Sequence, residues 1–483
     1  MTTKIYKIAV VGAGLAGSEC AYQLAKKGLD VLLIEMRPLK TTAAHQTALP
    51  AELVCSNSFR GSDVKNAAGL LKEEMAKLDS LIMKAAQKTS VPAGNALAVD
   101  REKFSLEVKQ ELSSLSSLNY LSALVTGLEK EGDLIRVLCE SGDCLLAEKV
   151  ILATGPLTED TLASWLGEQT GQDYLYFYDA IAPIVEKDSI DMSIAFRGNR
   201  YSGLSVIGDR FSLENNTITD NREPITESGD YINCPLNKEQ YFTFIEAIKK
   251  AELAPIHDFD KNQFFDGCLP IEEMVRRGDE TLRYGPMKPV GFSKLYESIA
   301  KTDNRKPITD LHALVQLRQD NLHDTMYNMV GFQTQMKYGE QERVFRLIPG
   351  LEKANFVRLG SMHRNTYINS PTLLKEGLEL KSFPNLYLAG QMVGCEGYLE
   401  SAAVGLYVGL SLGNDSLPPL EHSTALGALI HHILHADPKH YQPMNVNFGL
   451  FKPFDERVPK RERKEKLVER ARGEFAKWMK VTC

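Results

Sequence analysis

Three glycines and a glutamate near the start of the chain have the spacing of a dinucleotide-binding loop. Gly12, Gly14 and Gly17 follow an apolar run and open a segment with helical spacing. Such a loop brings backbone N–H groups to a pyrophosphate at the positive end of a helix. Glu35 closes the next apolar run, where its carboxylate can accept hydroxyl protons from an adenosine ribose. The predicted nucleotide-binding loop is Gly12, Ala13, Gly14, Leu15, Ala16 and Gly17, with Glu35 as its acidic partner.

The glycine loop alone does not identify the nucleotide, because NAD, FAD and S-adenosylmethionine folds all use it. Two later segments favour FAD. Thr154 and Gly155 end an apolar strand and resemble the Ala-Thr-Gly signature of two-dinucleotide-binding flavoproteins. The segment AGQMVGCEG contains Gly390, Gln391 and Gly394 and resembles the C-terminal flavin segment of the same proteins. There a helix N-terminus faces the flavin. We therefore expect all of these residues to bind FAD.

The elements around these motifs predict an α/β fold. Apolar runs and helical spacing over 6–34 form a βαβ unit. We expect a Rossmann-like FAD-binding domain of the two-dinucleotide-binding flavoprotein type in two pieces, 1–155 and 350–483. Residues 156–349, with many aromatic residues and scattered Gly and Pro, are predicted to form an inserted α+β domain. Further predicted elements are helices over 66–87, 101–115, 423–434 and 461–480, a strand meander over 118–144, and strands over 149–153 and 385–389.

The composition is that of a globular protein. Of 483 residues, 43% are hydrophobic and 25% are charged, which excludes a disordered or collagen-like chain. The eight cysteines form no CxxC pair, which is typical of reduced thiols, so we expect a cytoplasmic protein. No run of about 20 apolar residues predicts a membrane span. His431, His432 and His435 have no carboxylate or cysteine at ligand spacing, so we expect no metal.

Seven motifs together resemble one family, the folate- and FAD-dependent tRNA (uracil-5-)-methyltransferases, TrmFO. They are GAGLAGSE, LVCSNSFRG, AVDREKFS, LRYGPMKPVG, VQLRQDN, MHRNTYINSP and GQMVGCEGYLESAA, and they extend over most of the chain. A more distant resemblance is to the wobble-uridine modification flavoprotein MnmG, which shares the FAD domain. The segment 293–307 is a candidate insertion relative to the family.

The resemblance implies methylation of uridine at carbon-5. In the family, methylenetetrahydrofolate supplies the carbon, FAD carries it, and NADH or NADPH is the reductant. The usual target is the T-loop uridine of tRNA, and some members act on ribosomal RNA. Two other interpretations remain open: a small-molecule flavin oxidoreductase with inert cysteines, and a non-enzymatic flavoprotein that binds folded RNA.

Methylation at uracil carbon-5 directs attention to the cysteines. Carbon-5 is a poor nucleophile until another group, normally a thiolate, adds at carbon-6. Cys55 and Cys234 match the two cysteine positions that the family uses in catalysis. We expect Cys234 to add to carbon-6, and Cys55, near Arg60, to act as the second thiol. The two roles are open to exchange.

The remaining candidate site residues would bind the substrates. The resemblance implies folate stacked on the flavin, which requires flat and polar side chains. His363, Arg364, Asn365 and Tyr367 supply that mixture, with Tyr367 expected near the isoalloxazine. Arg283 and Lys288 are expected to meet folate carboxylate or RNA phosphate. The segment 460–480 has five more basic than acidic residues and is either a phosphate-contacting helix or a solvated helix face.

Overall fold

The computed structural model describes residues 4–42, 44–142, 144–171, 175–200, 229–255, 269–292, 311–414 and 417–482. The candidate insertion at 293–307 lies outside the described residues. The strands are β1 (Ile5–Val11), β2 (Val31–Glu35), β3 (Ser58–Gly61), β4 (Ser90–Val91), β5 (Ala96–Val99), β6 (Leu118–Ser122), β7 (Val125–Glu131), β8 (Leu134–Cys139), β9 (Cys144–Leu152), β10 (Leu175–Ala180), β11 (Ile184–Glu186), β12 (Phe196–Arg197), β13 (Tyr231–Leu236), β14 (Ala313–Gln319), β15 (Met326–Met329), β16 (Phe356–Arg358), β17 (Met362–Tyr367) and β18 (Leu386–Leu388).

The α-helices are α1 (Leu15–Lys26), α2 (Ala67–Lys77), α3 (Leu81–Lys88), α4 (Arg101–Ser113), α5 (Asp160–Thr170), α6 (Lys238–Lys249), α7 (Ile271–Arg277), α8 (Thr281–Tyr284), α9 (Tyr338–Phe345), α10 (Ser370–Leu373), α11 (Tyr398–Leu412), α12 (Ala425–His435) and α13 (Arg463–Thr482). Short 3-10 helices lie at Lys187–Ser189, Glu376–Leu378, Gln391–Val393 and Pro438–His440. Within the described residues, no helix combines the length and the apolar character needed to cross a membrane.

A largely parallel sheet forms the centre of the first domain. Among the described residues it has seven strands. Six of them follow the order β6-β2-β1-β9-β8-β7, and the seventh, β18, pairs with β9. β1, β2, β6, β9 and β18 run parallel. Every residue of β2 is buried, as expected for a parallel strand covered on both faces. The predicted α/β fold with a Rossmann-like domain is confirmed.

A close helix crossing positions the late segment of the chain against the early one. A Cβ added at Gly405 of α11 would lie 2.2 Å from the backbone oxygen of Ala16 in α1. A Cβ at Gly409, one turn later, would lie 2.9 Å from Cβ of Gln23. Only glycine permits this approach, because any larger side chain would force the two backbones apart. The crossing places the segment before α11 beside the glycine loop before α1.

A second, antiparallel sheet forms the other domain. As far as the structure describes it, the sheet has six strands in the order β12-β13-β14-β15-β11-β16. Its strands extend to Arg358, a few residues beyond the predicted inserted segment 156–349. One face packs on α6, α7 and α9 through a separate apolar core that includes Phe244, Val275 and Phe345. The other face lies toward the first domain, where the Tyr231 hydroxyl donates to the Ala93 oxygen at 2.8 Å.

The helix predicted over 66–87 is two helices, α2 and α3. Asp79 has a φ of 61°, and the Ser80 side chain accepts a hydrogen bond from the Met83 N–H, which starts a new helix. The carboxylate of Glu19, which is fully buried, accepts from the N–H groups of Leu81 and Ile82 at 3.2 and 2.9 Å. The break therefore lets the Glu19 carboxyl group of α1 accept hydrogen bonds from backbone N–H groups at the start of α3, which have no partner within the helix.

Candidate active site

The glycine loop leaves open space where a pyrophosphate would bind. An added Cβ would lie 2.6 Å from the Ala153 oxygen at Gly12 and 1.8 Å from the Gly12 oxygen at Gly17, so both glycines are required by packing. At Gly14, the N-cap of α1, an added Cβ would meet no protein atom within 4 Å. A residue at a helix N-terminus with open space beside it fits an anionic ligand, because the helix dipole favours negative charge there.

Glu35 organises the same loop through the protein's own donors. Its carboxylate accepts from the Ala13 N–H at 2.8 Å, the Arg37 N–H at 3.1 Å and the Arg37 Nε at 2.9 Å. Burial would raise the pKa of Glu35, but the ion pair with Arg37 holds it below its usual value. A carboxylate has about four acceptor positions. Glu35 thus keeps room for one ribose hydroxyl, and it lines a cleft together with Gly12, Gly14 and Thr154.

The two predicted flavin segments meet beside this loop. The Ala389 N–H donates to the Leu152 oxygen at 2.9 Å, so β18 and β9 deliver 390–394 and 154–155 to one edge of the sheet. Gln391 lines the larger cleft described below. Gly394 serves packing, because a Cβ there would lie 2.2 Å from the Tyr441 hydroxyl. FAD binding by these residues stays a prediction that the geometry favours.

A cleft of about 430 Å³ lies between the two domains. Cys55 and Arg60 line it from the first domain, Gln391 and Tyr398 from the flavin segment, and Arg318 from the second sheet. The Cys55 N–H donates to the Tyr398 hydroxyl at 2.6 Å. Burial and the nearby Cys55 raise the pKa of Tyr398 well above its usual value, so the phenol stays neutral. Tyr398 therefore fixes the backbone of Cys55 at the wall of the cleft.

Three arginines contribute to the electrostatic environment of Cys55. Arg101, Arg318 and Arg358 each interact electrostatically with Cys55. Arg101 donates to the Leu53 oxygen at 2.6 Å, and Arg318 donates through Nε to the Asn57 side-chain oxygen at 3.0 Å. Burial lowers the pKa of Arg318 and of Arg358. Partly dehydrated cations stabilise a neighbouring thiolate or a bound anion.

None of these three arginines is among the site residues predicted from the sequence. The available signal was that Arg101 lies in AVDREKFS and Arg318 in VQLRQDN, two of the family motifs. Arg60, which the sequence analysis placed near Cys55, donates to the buried Glu400 carboxylate at 2.6 Å. Its charge is therefore engaged mainly by Glu400.

The structure does not bring Cys234 to this cleft. Cys234 lies on β13, is fully buried, and belongs to the apolar core beneath α6 and α7. Side chains alternate along a strand, so Cys234 points to the opposite face from Tyr231, which reaches the first domain. Burial raises the pKa of the Cys234 thiol, which opposes formation of a thiolate. Addition of Cys234 to a ring in the cleft would require β13 to move.

Comparisons with known proteins agree with this architecture. The sequence model of the family described as "Glucose inhibited division protein A" matches residues 7–417. "Methylenetetrahydrofolate--tRNA-(uracil-5-)-methyltransferase TrmFO" of Geobacter sulfurreducens is 46% identical over 478 residues, which cover 98% of each chain. The protein of the same name from Streptococcus thermophilus is 47% identical over 475 residues, which cover 96% of each chain. The chain belongs to the TrmFO family.

The fold of this TrmFO family member also matches a solved structure. GidA of Aquifex aeolicus, in its form I crystal, superposes with a TM-score of 0.64 at 16% identity. The match covers 98% of this chain and 76% of that chain. At this identity the similarity supports the fold alone.

The other predicted substrate residues of this TrmFO family member are dispersed. Asn365 is 3% exposed and lines the cleft, whereas Tyr367 packs on Tyr441 with ring centroids 6.3 Å apart. His363 and Arg364 lie on β17 beside them, and their side chains are outside the described part of the structure. Arg283 donates to the His312 oxygen at 3.0 Å, and neither it nor Lys288 lines the cleft. Within the described residues, no group of three or more ligand-type side chains is placed to hold a metal.

Proposed function

We propose that this chain methylates carbon-5 of a uridine in tRNA, with FAD as its bound cofactor and methylenetetrahydrofolate as the carbon donor. The single observation that supports this most strongly is the position of Cys55. Cys55 lines the cleft that Gln391, Tyr398 and Arg318 also line, and three arginines interact with it electrostatically. The full-length identity to proteins named as TrmFO methyltransferases supports the same reaction.

Several residues of this chain fit FAD. The open space at Gly14 accommodates a pyrophosphate at the start of α1, and Glu35 lies where a ribose hydroxyl would be held. Gln391 and Tyr398 place the flavin segment along the large cleft. When bound, FAD supplies the redox and one-carbon transfer chemistry that no side chain provides. NADH or NADPH is the proposed reductant.

Cys55 is the proposed nucleophile toward carbon-6 of uracil, in exchange for the role first given to Cys234. It is the cysteine that lines the cleft among the described residues, and Arg318 interacts with it electrostatically. Cations near a thiol generally favour its thiolate form. Cys234 would act only after a rearrangement that takes its thiol out of an apolar core.

The T-loop uridine of tRNA is the proposed target, and the cytoplasm the proposed location. None of the six described cysteines forms a disulfide, which agrees with a reducing compartment.

The test is to incubate the flavin-loaded protein with unmodified tRNA transcript, methylenetetrahydrofolate and NADH or NADPH. The RNA is then digested and analysed for 5-methyluridine by mass spectrometry. We expect a product that depends on folate. Methylation of ribosomal RNA alone would change the target and keep the chemistry. No product on either RNA, together with flavin reduction by a small molecule, would favour an oxidoreductase.

A further inference from the structure

One amide in the cleft has an unused hydrogen-bond donor. Asn328 lines the cleft and is 2% exposed, and its Nδ2 has no hydrogen-bond partner. A buried donor without a partner destabilises the folded protein, because it loses its hydrogen bonds to water. Native proteins rarely retain such a group without a reason, and binding of a ligand is one such reason.

One neighbour of Asn328 in the sheet, Arg318, is among the arginines that interact electrostatically with Cys55. Asn328 pairs in register with Arg318 on β14, so their side chains share one face of the sheet. Arg318 interacts electrostatically with Cys55 and donates to Asn57, two residues further along the same loop. Asn328 thus belongs to the wall of the cleft that includes Arg318, with its unpartnered Nδ2 buried in that wall, and Cys55 lines the same cleft.

A neighbouring asparagine on the same face provides a contrast. Asn233, on β13, donates through Nδ2 to the oxygens of Phe196, Gly198 and Tyr231, and it accepts from Gln316. Its amide is satisfied within the protein. A structural role therefore explains Asn233, and it does not explain Asn328.

We propose that Asn328 is the residue that binds the O4 carbonyl of the target uracil and stabilises the negative charge formed there. The proposal rests on the proposed function. When the Cys55 thiolate adds to carbon-6, an S–C6 bond forms and the C5=C6 π bond breaks. Its electron pair is then shared by carbon-5 and O4 as an enolate, and no group leaves. A donor aimed at O4 binds this enolate more strongly than the neutral ring, which lowers the barrier to addition.

The same contact gives selectivity for uracil. Uracil presents an oxygen acceptor at carbon-4 and an N–H at N3, whereas cytosine presents an amino donor at carbon-4. The Asn328 amide has a donor for O4 and an acceptor oxygen for N3–H. Cytosine would leave the amide donor facing another donor, which is unfavourable.

The test compares Asn328→Ala and Asn328→Asp with the wild-type holoenzyme on two RNAs. On tRNA transcript, single-turnover formation of 5-methyluridine should slow about a hundredfold to a thousandfold, the effect of losing one such donor. On transcript containing 5-fluorouridine, the thiol adduct at carbon-6 should form more slowly by a similar factor. Flavin content should stay unchanged, because FAD binding does not use the uracil.

Melting temperature separates this role from a structural one. Asn328→Ala removes an unpaired donor and should leave the melting temperature unchanged or raise it. Asn233→Ala, the matched control, should lower the melting temperature while its folded fraction forms the adduct at the wild-type rate. An Asn328→Ala holoenzyme that methylates tRNA as fast as wild type would overturn the proposal. A loss of flavin content in that variant would also overturn it, by assigning the amide to the flavin. If the wild-type protein itself makes neither product nor adduct, the proposed function fails instead.

Discussion

Gly14→Ala and Gly17→Ala separate a ligand-facing glycine from a packing glycine in the same loop. At Gly14 the backbone φ is −72°, which alanine adopts readily, and its Cβ would meet no protein atom within 4 Å. The N-cap change costs about 1 kcal/mol, and the stiffer unfolded chain offsets roughly 0.4–1 kcal/mol of it. We therefore expect the protein without added FAD to melt within a few degrees of wild type.

FAD binding should respond in the opposite way. The Cβ of Gly14→Ala occupies the open space beside the helix N-terminus and disturbs at least one backbone N–H bond to the pyrophosphate. A hydrogen bond to a charged group contributes about 1.5–3 kcal/mol, so FAD should bind about 10- to 150-fold more weakly. Titration of the stripped protein with FAD, followed by flavin fluorescence, measures this directly.

Gly17→Ala is the contrasting variant. Its Cβ would lie 1.8 Å from the Gly12 oxygen, so the loop itself must shift. We expect a melting temperature lowered by several degrees even without FAD. Wild-type affinity for FAD in Gly14→Ala would refute the assignment of this space to the pyrophosphate.

Three further predictions follow from the described residues. Cys55→Ala should keep its flavin and its melting temperature but lose 5-methyluridine formation by at least about a thousandfold in single-turnover assays; methylation at the wild-type rate would exclude this thiol. Cys234→Ala should lower the free energy of unfolding by roughly 1–2 kcal/mol in a denaturant titration, because a buried sulfur is lost from an apolar core. The folded fraction of this variant should still methylate RNA. Complete loss of activity at unchanged stability would instead identify Cys234 as the nucleophile. Burial and nearby histidines lower the pKa of His431 from 6.5 to about 4. As the pH falls, this imidazole is therefore protonated in the unfolded chain before it is protonated in the folded protein. The free energy of unfolding should decline from pH 6.5 toward pH 4 as a result. His431→Gln should flatten that decline in melting temperature, and an unchanged pH profile would count against it.

The nucleotide half of the fold could be predicted because its signals are local. The signals are the glycine spacing, an apolar strand and an acidic residue at the end of the next strand, and all of them lie within 35 residues. Each has a known physical role in a nucleotide-binding βαβ unit. The division of 66–87 into two helices was missed, although Ser80 is a good N-cap residue. Helical spacing on both sides of Asp79 hid the break.

The environment of Cys55 could not be predicted in the same way. Arg101, Arg318 and Arg358 are far apart in the sequence and act on Cys55 only in the folded protein. No local sequence pattern predicts that arrangement. The orientation of Cys234, in contrast, was available from the sequence. In YINCPL, polar Tyr231 and Asn233 alternate with apolar Ile232 and Leu236, and this period of two places Cys234 on the apolar face. The prediction that Cys234 adds to carbon-6 followed from the family resemblance, whereas the strand pattern indicates a buried side chain.

The most direct test of the central claim follows the carbon itself. Flavin-loaded protein, unmodified tRNA, NADH or NADPH as the reductant, and methylenetetrahydrofolate labelled at its methylene carbon are mixed for a single turnover, and the digested RNA is analysed by mass spectrometry. We expect labelled 5-methyluridine with the wild-type protein and none with Cys55→Ala. Unlabelled RNA from a wild-type protein that holds flavin and binds folate would contradict it.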